Sequence, residues 1–310
     1  MKDLLPTLLT LALALPATTS AAAIHALRAE SQSDGCSKTH DWAGQTKEFK
    51  LTSDGRERNY RLHLPKNYKN GQRAPLIIAY HGSGGTPEDV EQQMRFSEAG
   101  VNADMVVAYP AGVNKNWQGP TYATKGVSDK NFTTDLIASL TSNYCIEPSS
   151  IFAAGHSNGG GFVGTLACSP GHGGQFAAFA ANSGAFYTDV DGDKRCSPAS
   201  KLTPFLEIHG TKDDVIPYEP TKDGRGGPLP KIPDLMDRWA VRNACDRENK
   251  DVSSPAENVQ HISWTCGADS TKGAVQHYRI DGHGHSWAEA KSGVDGTKVF
   301  MDFFKQNAKK

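Results

Sequence analysis

Short, almost unbroken apolar runs recur along the chain, at Leu76 to Tyr80, Met105 to Pro110, Ile151 to Ala154, Phe176 to Ala181 and Pro204 to Ile208. Each has the length of a strand, and the lack of polar alternation predicts strands covered on both faces, as in a parallel sheet. Helical patterns lie between them. Thr86-Pro87-Glu88-Asp89 predicts a capped helix running through Met94 and Phe96, with proline at its first position and acidic residues in its first turn. Thr133 to Asn143 sets Leu136, Ile137 and Leu140 on one face, continued by Tyr144, and Asp234 to Arg242 and Val299 to Phe304 read as two further helices. Near the N-terminal end, Phe49 to Leu51 and Asn59 to Leu64 alternate around Asp54-Gly55, the signature of an antiparallel hairpin at a sheet edge. Val275 to Ile280 is the last predicted strand, and Cys245 to Cys266 is a polar excursion that ends in a strand at His261 to Thr265. Residues 111–122 carry no helix signal and are expected to lie as a loop over the strand ends. The alternation of strand and helix implies an α/β fold with a mostly parallel central sheet flanked by helices. No linker or repeat interrupts it, so residues 35–310 are read as a single catalytic domain.

Composition changes this picture little. A formal net charge of -1 gives no reason to expect nucleic acid or an anionic membrane as a partner. The first residues add more. Lys2 precedes an apolar run from Leu4 to Ala14, too short to span a bilayer, and Ala21-Ala22-Ala23 offers a small-residue cleavage pattern. Residues 1–23 therefore read as a signal peptide, residues 24–34 as a leader that is disordered or removed, and the protein as secreted and extracellular. The six cysteines all follow that segment, which in a secreted chain implies three disulfides; Cys245 with Cys266 is the pair that local spacing suggests. Asn131-Phe132-Thr133 is a glycosylation sequon.

The chemistry centres on Gly155-His156-Ser157-Asn158-Gly159, which follows a predicted strand and opens a predicted helix. That context is the one a nucleophile elbow requires, with Ser157 on a strained turn and the glycines relieving collisions. A serine hydroxyl needs a base to take its proton and a carboxylate to orient that base. Asp213 and Asp214 follow the strand ending at Ile208, and His283 and His285 follow the last strand, giving the order Ser, Asp, His of the α/β-hydrolase fold. His285, at the start of the turn before Ser286-Trp287, is the better-placed histidine. The two aspartates are not separated on these grounds. His81-Gly82-Ser83-Gly84-Gly85-Thr86, directly after a buried strand, is the loop expected to build an oxyanion hole. No cysteine or carboxylate pattern completes a metal site around the histidines, and the chemistry calls for no cofactor.

Four motifs together carry a resemblance: Tyr80 to Gly85, Gly155 to Phe162, His209-Gly210-Thr211-x-Asp213-x-x-Ile216-Pro217-Tyr218 and Gly282-x-Gly284-His285-x-Trp287. The chain resembles secreted esterases related to polyhydroxybutyrate depolymerases, and within them is most similar to fungal feruloyl esterases of carbohydrate esterase family 1. The resemblance implies Ser157, Asp213 and His285 as the catalytic residues. It further implies an oxyanion hole from the backbone N–H groups of Ser83 and Asn158, and turnover through an acyl-enzyme. Feruloylated plant cell-wall polysaccharide or a small phenolic ester is then the expected substrate, with Trp117, Tyr122 and Trp287 as candidates to line an aromatic pocket. Xylan deacetylation and polyester cleavage are the alternative activities within the class. A non-catalytic binding protein on the same fold is the alternative outside it.

Overall fold

Asp54 and Gly55 both adopt positive φ, 48° and 71°, the two-residue turn whose twist suits an antiparallel hairpin. They join β1 (Thr46–Ser53) to β2 (Arg56–His63) in full register, from Thr46 opposite His63 to Ser53 opposite Arg56. The chain then alternates: β3 (Ala74–Tyr80), α1 (Pro87–Met94), β4 (Val106–Pro110), α2 (Asp129–Asn143), β5 (Ile146–His156), α3 (Asn158–Ala167), a single turn α4 (Pro170–Gly173), β6 (Ala178–Asn182), β7 (Phe205–Gly210), α5 (Ile232–Arg242), β8 (Cys245–Ala256), β9 (Val259–Cys266), β10 (Thr271–Ile280) and α6 (Gly296–Asn307). This computed structural model describes residues 35–192, 195–267 and 270–308. The expected signal peptide and leader lie outside the described residues.

Among the described residues ten strands form one sheet, in the order β1-β2-β4-β3-β5-β6-β7-β10-β9-β8. The six central strands, β4 through β10 in that order, are mutually parallel, and an antiparallel hairpin extends each edge. This is the mostly parallel, helix-flanked sheet of the α/β-hydrolase fold. The period-two alternation of β3 divides its side chains between two cores. Leu76, Ile78 and Tyr80 join Phe132 and Leu136 of α2, Phe162 of α3 and Trp239 of α5. Ile77 and Ala79 face the other way, with Val90 and Met94 of α1 and Phe300 and Phe304 of α6. At roughly 1.5–3 kcal/mol for each large apolar side chain, burial on both faces explains why these strands tolerate so few polar residues.

Three elements differ from expectation, each for a physical reason. The helix after Thr86 is capped as expected, through a capping box between Thr86 and Asp89, but Arg95 adopts φ 59° and ends it at Met94. Phe96 is buried outside the helix. The second helix starts at Asp129, four residues before the apolar stripe announces it. Its first turn holds a buried Asp129, whose carboxylate meets the equally buried Arg58 of β2 at 2.7 Å. An acidic residue that is buried because it is paired does not register as part of an apolar face. Finally, the polar excursion from Cys245 to Cys266 is the β8–β9 hairpin, polar because it stands at the sheet edge with much of its surface in solvent.

Arg58 and Asp129 also anchor a loop. Asp129 accepts the Gln118 N–H at 2.7 Å, Arg58 donates to the Ala111 carbonyl at 3.1 Å, and the guanidinium lies over the Phe132 ring. Burial raises the Asp129 pKa despite the partner and lowers that of Arg58, so desolvation outweighs attraction. The pair fixes position more than it adds stability.

The six cysteines form three disulfides: Cys36–Cys145, Cys168–Cys196 and Cys245–Cys266. The last joins residues directly opposite in the β8–β9 register, as local spacing suggested. Cys36–Cys145 spans 109 residues, and a loop of that length predicts about 4–5 kcal/mol of stabilisation through the unfolded chain. Replacing both cysteines by serine should lower the urea midpoint accordingly; a loss under about 1 kcal/mol would refute this. Asp129→Ala, which strands a buried guanidinium, should cost about 3–5 kcal/mol in the same measurement.

Candidate active site

Ser157 has φ 55° and ψ -119°, a combination that L-residues adopt only under constraint. The constraint is steric and local. A Cβ on Gly155 would lie 2.4 Å from the Gly159 carbonyl carbon, and one on Gly159 would lie 2.2 Å from the Tyr80 carbonyl oxygen. Their absence lets β5 reverse tightly into α3 against β3. Hydrogen bonds hold the turn: the Ser157 N–H donates to the Asn182 carbonyl at 3.0 Å, and its carbonyl accepts the N–H groups of Gly161 and Ala185, each at 2.9 Å.

Around Ser157 the loops after β7 and β10 converge. His285 Nε2 lies 2.8 Å from Ser157 Oγ, and His285 Nδ1 lies 2.7 Å from Asp213 Oδ2. The other oxygen of Asp213 accepts the N–H groups of Val215 at 2.9 Å and Ile216 at 2.8 Å. Asp214 is exposed, and His283 faces the Ser286 carbonyl at 3.0 Å. The histidine brought to Ser157 is thus His285, and of the two aspartates Asp213 is the one that meets it. Burial would raise the Asp213 pKa, but hydrogen bonds and charge from His209 and His285 hold it below the ordinary carboxylate value. A group arranged this way can take a proton from the serine and hold the resulting imidazolium.

The glycine-rich loop after β3 lies against the elbow: a Cβ on Gly82 would stand 3.4 Å from Ser157 Cβ. The next residue is Ser83. Asn158 opens α3, so its N–H has no acceptor within the helix. Its side chain does something the sequence did not suggest. Asn158 Oδ1 accepts the Trp117 N–H at 2.8 Å and Nδ2 donates to the Trp117 carbonyl at 3.3 Å, while Trp117 Nε1 donates to the His81 carbonyl at 2.9 Å. Trp117 stacks on Phe162 and is wholly buried.

This corrects the expectation that Trp117 lines a pocket: it rivets the loop to the elbow. Trp287 is corrected likewise. It is 4% exposed, donates to Thr297 Oγ1 at 3.2 Å and packs edge-on against Phe300. Tyr122 alone of the three remains partly accessible. It lies edge-on to Tyr187 and beneath the Arg225 guanidinium, and Arg225 donates to Ser83 Oγ at 2.7 Å. Arg225 stands at the tip of a turn closed by two Gly224–Gly227 hydrogen bonds, and Gly226 of that turn packs against Tyr187. The sequence did not identify Arg225 or Tyr187, because only folding brings residue 225 beside residue 83.

Three more buried polar residues stand behind this arrangement. Glu207 and His209 of β7 are fully buried, 2.8 Å apart, and His209 reaches Asp213 at 3.3 Å. A carboxylate inside the apolar run Phe205 to Ile208 was the available signal, since a doubly covered strand holds a charge only when it is paired. His156 packs beside His285 and hydrogen-bonds its carbonyl at 2.9 Å. Burial, then the neighbouring His285, lowers the His156 pKa to about 4. The sequon residue Asn131 is exposed on α2, its Nδ2 donating to Asp54. Among the described residues, one cluster has metal-ligand proximity: Cys168, Asp189 and Cys196. Its sulfurs form a disulfide and Asp189 is paired in two places with Arg242, which leaves no ligand set.

A family model described as "Putative esterase" matches residues 52–289, more than half the chain. The chain is 31% identical over 252 residues to "Probable feruloyl esterase C" of Aspergillus clavatus, covering 79% of this chain and 80% of that one. It is 29% identical over 257 residues to "Feruloyl esterase B" of Piromyces equi, covering 77% of this chain while spanning only 44% of the relative's length. Among solved structures, an acetyl xylan esterase from Aspergillus awamori superposes with a TM-score of 0.59 over 84% of this chain and 99% of that one, at 17% identity, a likeness of fold. By the family model over residues 52–289 the chain belongs to this family of esterases, carboxylic ester hydrolases, and its sheet and helices are those of the α/β-hydrolase fold.

Proposed function

We propose that the protein is a secreted serine esterase that hydrolyses hydroxycinnamoyl esters, such as feruloyl groups on plant cell-wall polysaccharide. The observation that carries the mechanism is the unbroken hydrogen-bonded line from Ser157 through His285 to Asp213, mounted on a strained elbow. His285 takes the Ser157 proton as Oγ attacks the ester carbonyl, and Asp213 stabilises the imidazolium that forms. The backbone N–H groups of Ser83 and Asn158 hold the oxyanion. His285 then protonates the departing alcohol, and water attacks the acyl-enzyme by the same route.

The substrate class is supported by the relatives named feruloyl esterase. Tyr122 and Arg225, backed by the buried Tyr187, form the wall against which we place the substrate's phenolic ring. Deacetylation of xylan is the second reading. It is favoured by the burial of Trp117 and Trp287, which leaves fewer rings for a planar acyl group. Secretion is supported by the pairing of all six cysteines, and we propose Asn131 as a glycan acceptor.

Ser157→Ala should reduce hydrolysis of both methyl ferulate and 4-nitrophenyl acetate by at least about 10⁴-fold with the fold intact. Retention of activity would exclude the serine mechanism. A higher kcat/KM on acetylated xylan than on methyl ferulate would replace the feruloyl reading by the second one. Arg225→Ala should raise KM for methyl ferulate several-fold and leave that for 4-nitrophenyl acetate unchanged, and equal effects on both would remove this wall from the binding site.

A further inference from the structure

Behind Asp213 the buried polar groups continue. Glu207 and His209 lie two residues apart on β7 and thus on one face of the strand. Both are 0% exposed. His209 Nε2 lies 2.8 Å from the Ile216 carbonyl and 3.3 Å from Asp213 Oδ2, while Nδ1 lies 2.8 Å from Glu207 Oε1. A carbonyl oxygen only accepts, so Nε2 carries a proton. At Nδ1 the partner is a carboxyl group, and the shared proton resides either on Glu207 or on the imidazole. The total charge is the same in both arrangements. Their energies differ through the neighbours.

Those neighbours favour a charge on each partner. Asp213 receives N–H groups from His285, Val215 and Ile216, so it is an ionised acceptor and attracts positive charge onto His209. On the far side, His277 from β10 has Nδ1 3.1 Å from the Glu207 carbonyl and 3.1 Å from Glu207 Oε2. Its Nε2 faces the Tyr218 hydroxyl at 2.9 Å. Nδ1 faces two acceptor oxygens and therefore carries a proton that points at Glu207, and in the neutral ring Nε2 then accepts from Tyr218. That N–H is aligned on the main-chain oxygen, and Oε2 has no well-formed hydrogen bond. Glu207 is therefore an under-satisfied buried carboxylate whose principal partner is His209, and it requires a cation there. The remaining titratable neighbour, His156, is held neutral by burial.

We infer that His209 is a standing imidazolium clamped between Glu207 and Asp213, and that this pair is a positioning element that keeps Asp213 ionised and weakens its pull on the His285 proton. Burial alone would lower the His209 pKa, but the Glu207 charge and hydrogen bonds to Asp213 and Glu207 raise it to about 10. Glu207 is lowered because the His209 and His277 contacts overcome its burial. The role of the pair rests on His285 being the base proposed above. A cation beside Asp213 shares its negative charge, so losing that cation leaves Asp213 to act on the His285 N–H alone.

The test is Glu207→Gln. Its amide can donate to Nδ1, leaving His209 neutral with Nε2–H still on Ile216. The acid limb of the kcat/KM profile for 4-nitrophenyl acetate should move up by about one pH unit, with KM unchanged at the plateau. An acid limb that stays in place while only the thermal midpoint falls would reduce the pair to a structural role. Side-chain ¹⁵N spectra of the histidine-labelled wild-type protein should show His209 protonated on both nitrogens from pH 6 to 9. A neutral tautomer at pH 7 overturns the inference whether or not the variant folds. The same spectrum from Ser157→Ala keeps this outcome separate from that of the serine mechanism.

Discussion

A methyl group has no room at residue 159, because the Tyr80 carbonyl oxygen would stand 2.2 Å away. That exclusion couples β3, β5 and α3 into one unit, and the rest of the site is referred to it. The reversal forces Ser157 into positive φ, opens α3 immediately after it and lays the loop after β3 alongside. Asn158 then grips the Trp117 backbone and holds the loop after β4 down on the elbow. The strain at one serine persists because close packing on every side leaves it no alternative conformation.

Charge is the second organising constraint. Asp129 and Asp213 are both buried carboxylates, yet they shift in opposite directions. Asp129 has one guanidinium and one N–H, and its desolvation is not overcome. Asp213 has two imidazoles and two N–H groups, and its desolvation is. The number of donors aimed at a buried carboxylate thus decides whether it serves as an anchor or as a poised ion. The first ties the edge hairpin to the loop over the site; the second orients the histidine beside the serine.

The aromatic residues show how packing competes with function for the same side chains. Trp117 and Trp287 sit on loops in sequence, but each finds a buried acceptor for its indole N–H and a ring to pack on. A large apolar surface near the core is drawn into it unless something already occupies the place. What stays partly accessible is Tyr122, beneath the exposed Arg225 and beside the buried Tyr187, residues contributed by three separate segments.

By itself the sequence determined the strand–helix alternation, the elbow at Ser157, and that an aspartate after β7 and a histidine after β10 would arrive beside it. Those features are local: apolar runs of strand length, glycines around one serine, and polar residues placed just past strand ends. The start of α2 at Asp129, the Glu207–His209 pair, the burial of Trp117 and Trp287, and the contact of Arg225 with Ser83 were decided only by the tertiary structure. Apart from Glu207 and His209, which share one face of β7, the deciding partner lies well away in sequence, so the charge or ring is interpretable only once its neighbour is known. Choosing Asp213 over Asp214 is the boundary case. The two are chemically equal in sequence, and only Asp213 has His285 and the N–H groups of residues 215 and 216 closing around it.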